Sequence, residues 1–155
     1  MEWFLEMIAN PYLLTALSAW AVAQVVKTIL YALMNGRIDW ERLFGDGGMP
    51  SGHSATVSSL AVFCALMHGT GSHEFAVAAI LAIIVCHDAT GVRQETGKQA
   101  VLINELAEGF RKLKIEHKLP QVELKEFVGH TPLQVMAGIT LGILDALFMY
   151  FVVFA

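Results

Sequence analysis

Charge is what this chain has least of. Only 15% of its 155 residues are Asp, Glu, Lys or Arg, against roughly 25% in ordinary soluble domains. Set beside 55% hydrophobic residues and a mean hydropathy of +0.56, that shortfall excludes a disordered chain and makes lipid part of the solvent. Cysteine is scarce as well. Cys64 and Cys86 each stand inside an apolar run, so a disulfide framework is excluded and each thiol reads as a small hydrophobe. The four prolines and thirteen glycines follow no collagen-like period. Ten basic residues against fourteen acidic ones give a net charge of −4, with no basic arm or stripe, which excludes nucleic acid as a general partner. The length suits one domain, residues 1–155. Met1 to Ile8 carries two glutamates and no positive segment, so it does not read as a secretory signal; Trp3, Phe4 and Leu5 place it at a membrane interface.

Four stretches are candidates to cross a bilayer. From Pro11 to Met34, 18 of 24 residues are apolar and only Lys27 is charged; from Leu133 to Ala155, 18 of 23 are apolar and only Asp145 is charged. Both exceed the roughly 20 residues a spanning helix needs. Between them lie Ser54 to His68, diluted by Ser and Thr, and the twelve consecutive apolar residues Phe75 to Cys86, extendable to Ala89. These are short for lipid-exposed crossings and suit packed helices joined by the turn His68-Gly-Thr-Gly-Ser-His73. The expected architecture is all-α: an integral membrane bundle of about four spanning helices.

Nine of the ten Lys and Arg fall in two segments, Asn35 to Pro50 and Gly91 to Gly129, while the N-terminus, the 68–73 turn and the C-terminus hold none. Four crossings put those two segments on one side, which the positive-inside rule makes cytoplasmic, with both termini outside. Within the longer one, Leu102, Leu106, Phe110 and Leu113 recur at helical spacing from Lys98 to Ile115, with Glu108 and Lys112 paired at i,i+4. This amphipathic cytoplasmic helix, ended by Pro120, either docks on the bundle or lies on the lipid headgroups.

Chemistry concentrates where two of the helices begin. In Gly47-Gly-Met-Pro-Ser-Gly-His-Ser54, proline sets the approach, and Ser51 with the backbone N–H groups around Gly52 and His53 makes either a simple helix cap or a nest for a phosphate-like anion. From the same side, Phe127-Val-Gly-His-Thr-Pro-Leu-Gln-Val-Met-Ala-Gly138 leads into the last helix. Should the two helices pack together, His53 and His130 face one pocket. Two imidazoles divide naturally into a nucleophile on phosphorus and an acid for the leaving oxygen.

These strings resemble the type 2 phosphatidic acid phosphatase and vanadium haloperoxidase superfamily, in its shorter, divergent membrane branch. Pro50-Ser-Gly-His53 is similar to the second motif of that superfamily, and His130-Thr-Pro-Leu-Gln-Val-Met-Ala-Gly to the third. His-Asp-Ala-Thr-Gly-Val-Arg93, Gly97-Lys-Gln-Ala and Leu102-Ile-Asn104 resemble the divergent branch in particular. The resemblance, from about Ala19 to Gly142, implies that His130 is the nucleophile that becomes phosphorylated and His53 the general acid. Lys27 stands for the lysine of the first motif, although Met34 occupies the place of its arginine and the nearest arginine is Arg37. Leu124 occupies the place of the arginine of the third motif, a role that falls to Arg93 or, second, to Lys125. Gln134 replaces the carboxylate that orients the nucleophile. An amide oxygen holds the tautomer but does not stabilise imidazolium by charge.

The remaining polar residues divide between structure and site. Lys27 either snorkels to the headgroups or reaches the pocket. Asp88 caps its helix, pairs with Arg93, or supplies His130 with the missing carboxylate. Asp145, deep in the last span, reads by default as functional or as hydrogen-bonded to a neighbouring helix. His68, His73 and His117 read as solvated, and no tight His, Cys and Asp spacing suggests zinc. The expected activity is a phosphatase without metal or cofactor, acting on a phosphorylated lipid or isoprenoid in the bilayer. Its rival is a catalytically degenerate membrane protein that binds such a lipid or an anion, or serves as scaffold. Self-association into a homo-oligomer is left open.

Overall fold

The computed structural model describes residues 1–37, 40, 47–112, 124 and 129–154. A short helix α1 (Glu2–Ile8) precedes α2 (Pro11–Asn35), whose start is set by Asn10: its side chain accepts from Tyr12 and Leu13 N–H at 2.9 and 3.2 Å, with proline in the first turn. Gly36, at φ +68°, ends it. At 25 residues it is about 38 Å long, more than a bilayer core requires. Then come α3 (Gly52–His68), α4 (His73–Thr90), α5 (Val92–Lys112) and α6 (Pro132–Phe148), the last continuing into a π-helical turn, Met149–Val153. The described residues contain no strand.

Helix α3 is the hub, packing on α2, α4 and α6. Its 17 residues fall short of a lipid-exposed span, but its neighbours shield it, and its Ser and Thr content is that of an interior helix. Small residues let the backbones close in: a methyl built on Gly138 would lie 2.5 Å from the Ser51 carbonyl oxygen, and one on Gly142 2.3 Å from that of Ala55. Three helical stretches, Pro11–Asn35, His73–Phe110 and Pro132–Val153, are long and apolar enough to cross a membrane. The outer face of α4 agrees with that role, with Val77, Ile80, Ile83 and Ile84 exposed, Ile83 to 64%. So large an apolar surface is stable against lipid rather than water. The chain is an all-α membrane protein.

Helix α5 begins at Val92, six residues before the expected Lys98, because Gly91, the C-cap of α4, turns the chain within one residue and a new helix starts at once. Its Glu108–Lys112 pair forms at 2.9 Å. Leu102, Ile103, Leu106 and Phe110 are exposed among the described residues, Leu106 to 62%, so the apolar face of α5 is not buried against them. Arg42, Pro120, His117 and Lys125 lie outside the described residues.

At the far end of the bundle, Phe63 is fully buried against Tyr12, Tyr150 and Phe154 in edge-on contacts. His68 is not merely solvated: its Nε2 meets the Tyr12 hydroxyl and its ring stacks on the phenol. Asp145 also has partners that its position in the sequence did not reveal. Ser18 donates to it at 2.9 Å from α2 and Ser59 at 3.0 Å from α3, binding three helices inside the bundle.

Candidate active site

The C-terminal end of α2 and the N-terminal ends of α3 and α6 meet on one side of the bundle. Each contribution has a local cause. Ser51 caps α3, its hydroxyl accepting from Ser54 N–H at 3.3 Å, and its own N–H donates to the Gln134 carbonyl at 3.0 Å, which ties the start of α3 to the first turn of α6. The start of α6 is a capping box: Thr131 Oγ1 accepts from Gln134 N–H, and Gln134 Oε1 accepts from Thr131 N–H at 3.0 Å. Gly129, at φ +90°, lies so close to α5 that a Cβ would stand 2.5 Å from the backbone nitrogen of Gln94. This approach delivers His130, whose N–H donates to the Ala89 carbonyl at the end of α4 at 3.0 Å.

The result is a cavity of about 110 Å³ lined by Trp20, Gln24, Lys27, Gly47, Gly52, His53 and His130. The two imidazole centroids are 6.3 Å apart with the rings inclined at 58°. His130 is buried, and its Nδ1 is 3.3 Å from Gln134 Oε1. An Nδ1–H donated to that amide puts the lone pair of the ring on Nε2, the atom that would attack. Lys27 is only 5% exposed. Its stem is roofed by Gly48, at φ +81°, where an added Cβ would lie 3.3 Å from Lys27 Cγ. A buried ammonium, two imidazoles and the first-turn amides of α3 make a hollow suited to an oxyanion.

Not every expected residue shares this cavity. Ser51 is buried as the cap, and Gln134 borders an adjoining cleft of about 290 Å³ that also includes Gln94, Gly97, Lys98, Gly129 and His130. Arg93, which lines neither the cavity nor the cleft, forms a 2.7 Å ion pair with Asp88, both side chains close to half exposed. Asn104 holds the backbone of Leu124 from both sides, accepting from its N–H and donating to its carbonyl. On the other flank of His53 runs an apolar groove of about 390 Å³ lined by Leu17, Trp20, Thr56, Val57 and Val85. Trp20, Gln24 and Lys98 are lining residues that sequence reasoning missed. The first two were detectable, since positions 20, 24 and 27 share one face of α2 at helical spacing. Among the described residues no group of three or more His, Cys, Asp or Glu is placed to hold a metal ion.

The fold is thus that of a helical membrane protein with a small hollow, lined by two histidines and a buried lysine, at one end of the bundle. Residues 8–145 match the Divergent PAP2 family, and the chain belongs to it. It is 41% identical over 148 residues to "Uncharacterized membrane protein YuiD" of Bacillus subtilis (strain 168), an alignment that covers 90% of this chain and 94% of that protein. No solved structure matches it at a significant level.

Proposed function

We propose that the protein is a membrane phosphatase that hydrolyses the phosphate ester of a lipid or isoprenoid through a phosphohistidine. The observation that carries this reading is that His53 and His130 line one small cavity together with the buried Lys27. His130 Nε2 attacks phosphorus; the P–O ester bond breaks, and the leaving oxygen keeps the electron pair and takes a proton from His53. Water then attacks the phosphohistidine, the N–P bond breaks, its electron pair returns to Nε2, and His53 receives a proton of the water. Lys27 and the amides near Gly52 bear the charge of the non-bridging oxygens, with Arg93 as a further cation and Lys125 the second choice for that role. The apolar groove beside His53 supports a hydrocarbon leaving group, because the acid that serves the leaving oxygen also lines that groove. The distribution of Lys and Arg supports a cytoplasmic site with both termini outside.

The test uses the purified full chain in detergent with dioctanoyl phosphatidic acid and farnesyl monophosphate. Orthophosphate release that persists in EDTA and is lost in His130→Ala and His53→Ala is expected, with acid-labile phosphate on the wild-type protein. Unchanged release in both variants would refute the reading. One observation favours the degenerate rival: an amide, Gln134, stands where a carboxylate would stabilise imidazolium. Binding of the lipid phosphates without release or phosphohistidine would establish it.

A further inference from the structure

Gln24 is 7% exposed, lines the cavity with Lys27, His53 and His130, and carries an Oε1 with no hydrogen-bond partner among the described residues. A buried acceptor without a donor is costly, so the chemistry of the cavity should supply one. A non-bridging phosphoryl oxygen does not, because it is itself an acceptor and suits Lys27 and the helix amides. What Oε1 requires is a donor hydrogen, and of the groups that the reaction itself brings into the cavity only an O–H offers one.

The two halves of the reaction differ in the O–H groups they present. In the first, the bridging ester oxygen carries no hydrogen and takes one only from His53. In the second, the oxygen that attacks phosphorus belongs to water and has two: one is removed by His53, and the other remains to be oriented. We propose that Gln24 Oε1 accepts that second hydrogen and so positions the water that hydrolyses the phosphohistidine, an inference that rests on the phosphatase reading above. Bonds and charges balance as there: the O–P bond forms, the N–P bond breaks with its electron pair returning to His130, one proton passes to His53, and the hydrogen held by Gln24 leaves on orthophosphate. The amide neither gains nor loses a proton.

An alcohol attacking the same intermediate has one O–H, which His53 takes, so Gln24 favours water over alcohol. With dioctanoyl phosphatidic acid as phosphate donor and methanol added, the ratio of methyl phosphate to orthophosphate reads this preference directly. In Gln24→Met, nearly isosteric but without the acceptor, the ratio is expected to rise about tenfold, the effect of one lost hydrogen bond in a transition state. Acid-labile phosphohistidine accumulates while the first burst of diacylglycerol is retained. Gln24→Glu keeps an acceptor oxygen and holds the ratio near wild type, although repulsion from the phosphate slows both products. Should Gln24→Met fail to fold, Gln24→Asn, which withdraws the acceptor by one methylene, is expected to raise the ratio likewise. A merely structural Gln24 would lower both products in proportion, and an unchanged ratio on a protein that still forms phosphohistidine overturns the inference alone. Absence of phosphohistidine from the wild type would instead overturn the phosphatase reading and this inference with it.

Discussion

Replacing Gly138 with alanine tests whether close packing of α3 on α6 sets the geometry of the two histidines. The added methyl would sit 2.5 Å from the Ser51 carbonyl oxygen and 3.0 Å from Ser54 Cβ, where ordinary contact begins at 3.4 Å. Neither neighbour is the far end of a flexible side chain, so the helices must part by roughly an ångström, at a cost of about 1–3 kcal/mol. The bond from Ser51 N–H to the Gln134 carbonyl, 3.0 Å long, is the first casualty. Because Ser51 precedes His53 by two residues and Gln134 follows His130 by four, the same displacement separates the imidazoles. A misplacement of that size costs about a hundredfold in rate. Initial rates of orthophosphate release should therefore fall by that factor while the apparent unfolding temperature in detergent drops by several degrees and the helical circular dichroism is kept. Gly109→Ala, where a built Cβ meets nothing within 4 Å, is the control and should leave the rate unchanged and the unfolding temperature no lower, since alanine favours a helix over glycine. A Gly138→Ala protein as active and as stable as the wild type would refute the reasoning.

Lys27→Met keeps a chain that fills the space under Gly48, and should lower kcat/KM about a hundredfold to a thousandfold, beyond any loss of folded protein, by removing the buried cation from the cavity; steady-state kinetics on the folded fraction decides. Asp145→Ala leaves the Ser18 and Ser59 hydroxyls without their interhelical acceptor and should cost about 1–2 kcal/mol of stability, read as a lower unfolding temperature, whereas Asp145→Asn keeps one acceptor oxygen and loses less. Asp88→Asn breaks a half-exposed ion pair with Arg93 and should change stability by less than about 1 kcal/mol. Activity left intact in that variant would remove Asp88 as the carboxylate that serves His130.

Much of this arrangement was legible because its causes are local. Hydropathy runs located α2, α4 and α6, and Pro-Ser-Gly and Thr-Pro signalled where α3 and α6 begin. The Glu108–Lys112 pair followed from helical spacing alone. Where reading along the chain fell short, the missing information was a distance between remote segments. The partners of Asp145 lie 127 and 86 residues away. Nothing along the chain singled out Gln24, and only the assembled bundle brings it to a cavity that two imidazoles also line. The early start of α5 escaped notice because the apolar period from which that helix was read sets in only near Leu102, while the chain is already helical from Val92.

By itself the sequence determined that the chain lives in a bilayer, that two long apolar helices flank two shorter ones suited to close packing, and which two histidines stand at helix starts on the same side. These properties depend on composition and period, which a helix cannot alter. The tertiary structure decided what those starts face. Glycines at 129, 138 and 142 let backbones approach to distances no side chain permits, and only that approach closes a hollow of about 110 Å³ around Lys27, His53 and His130.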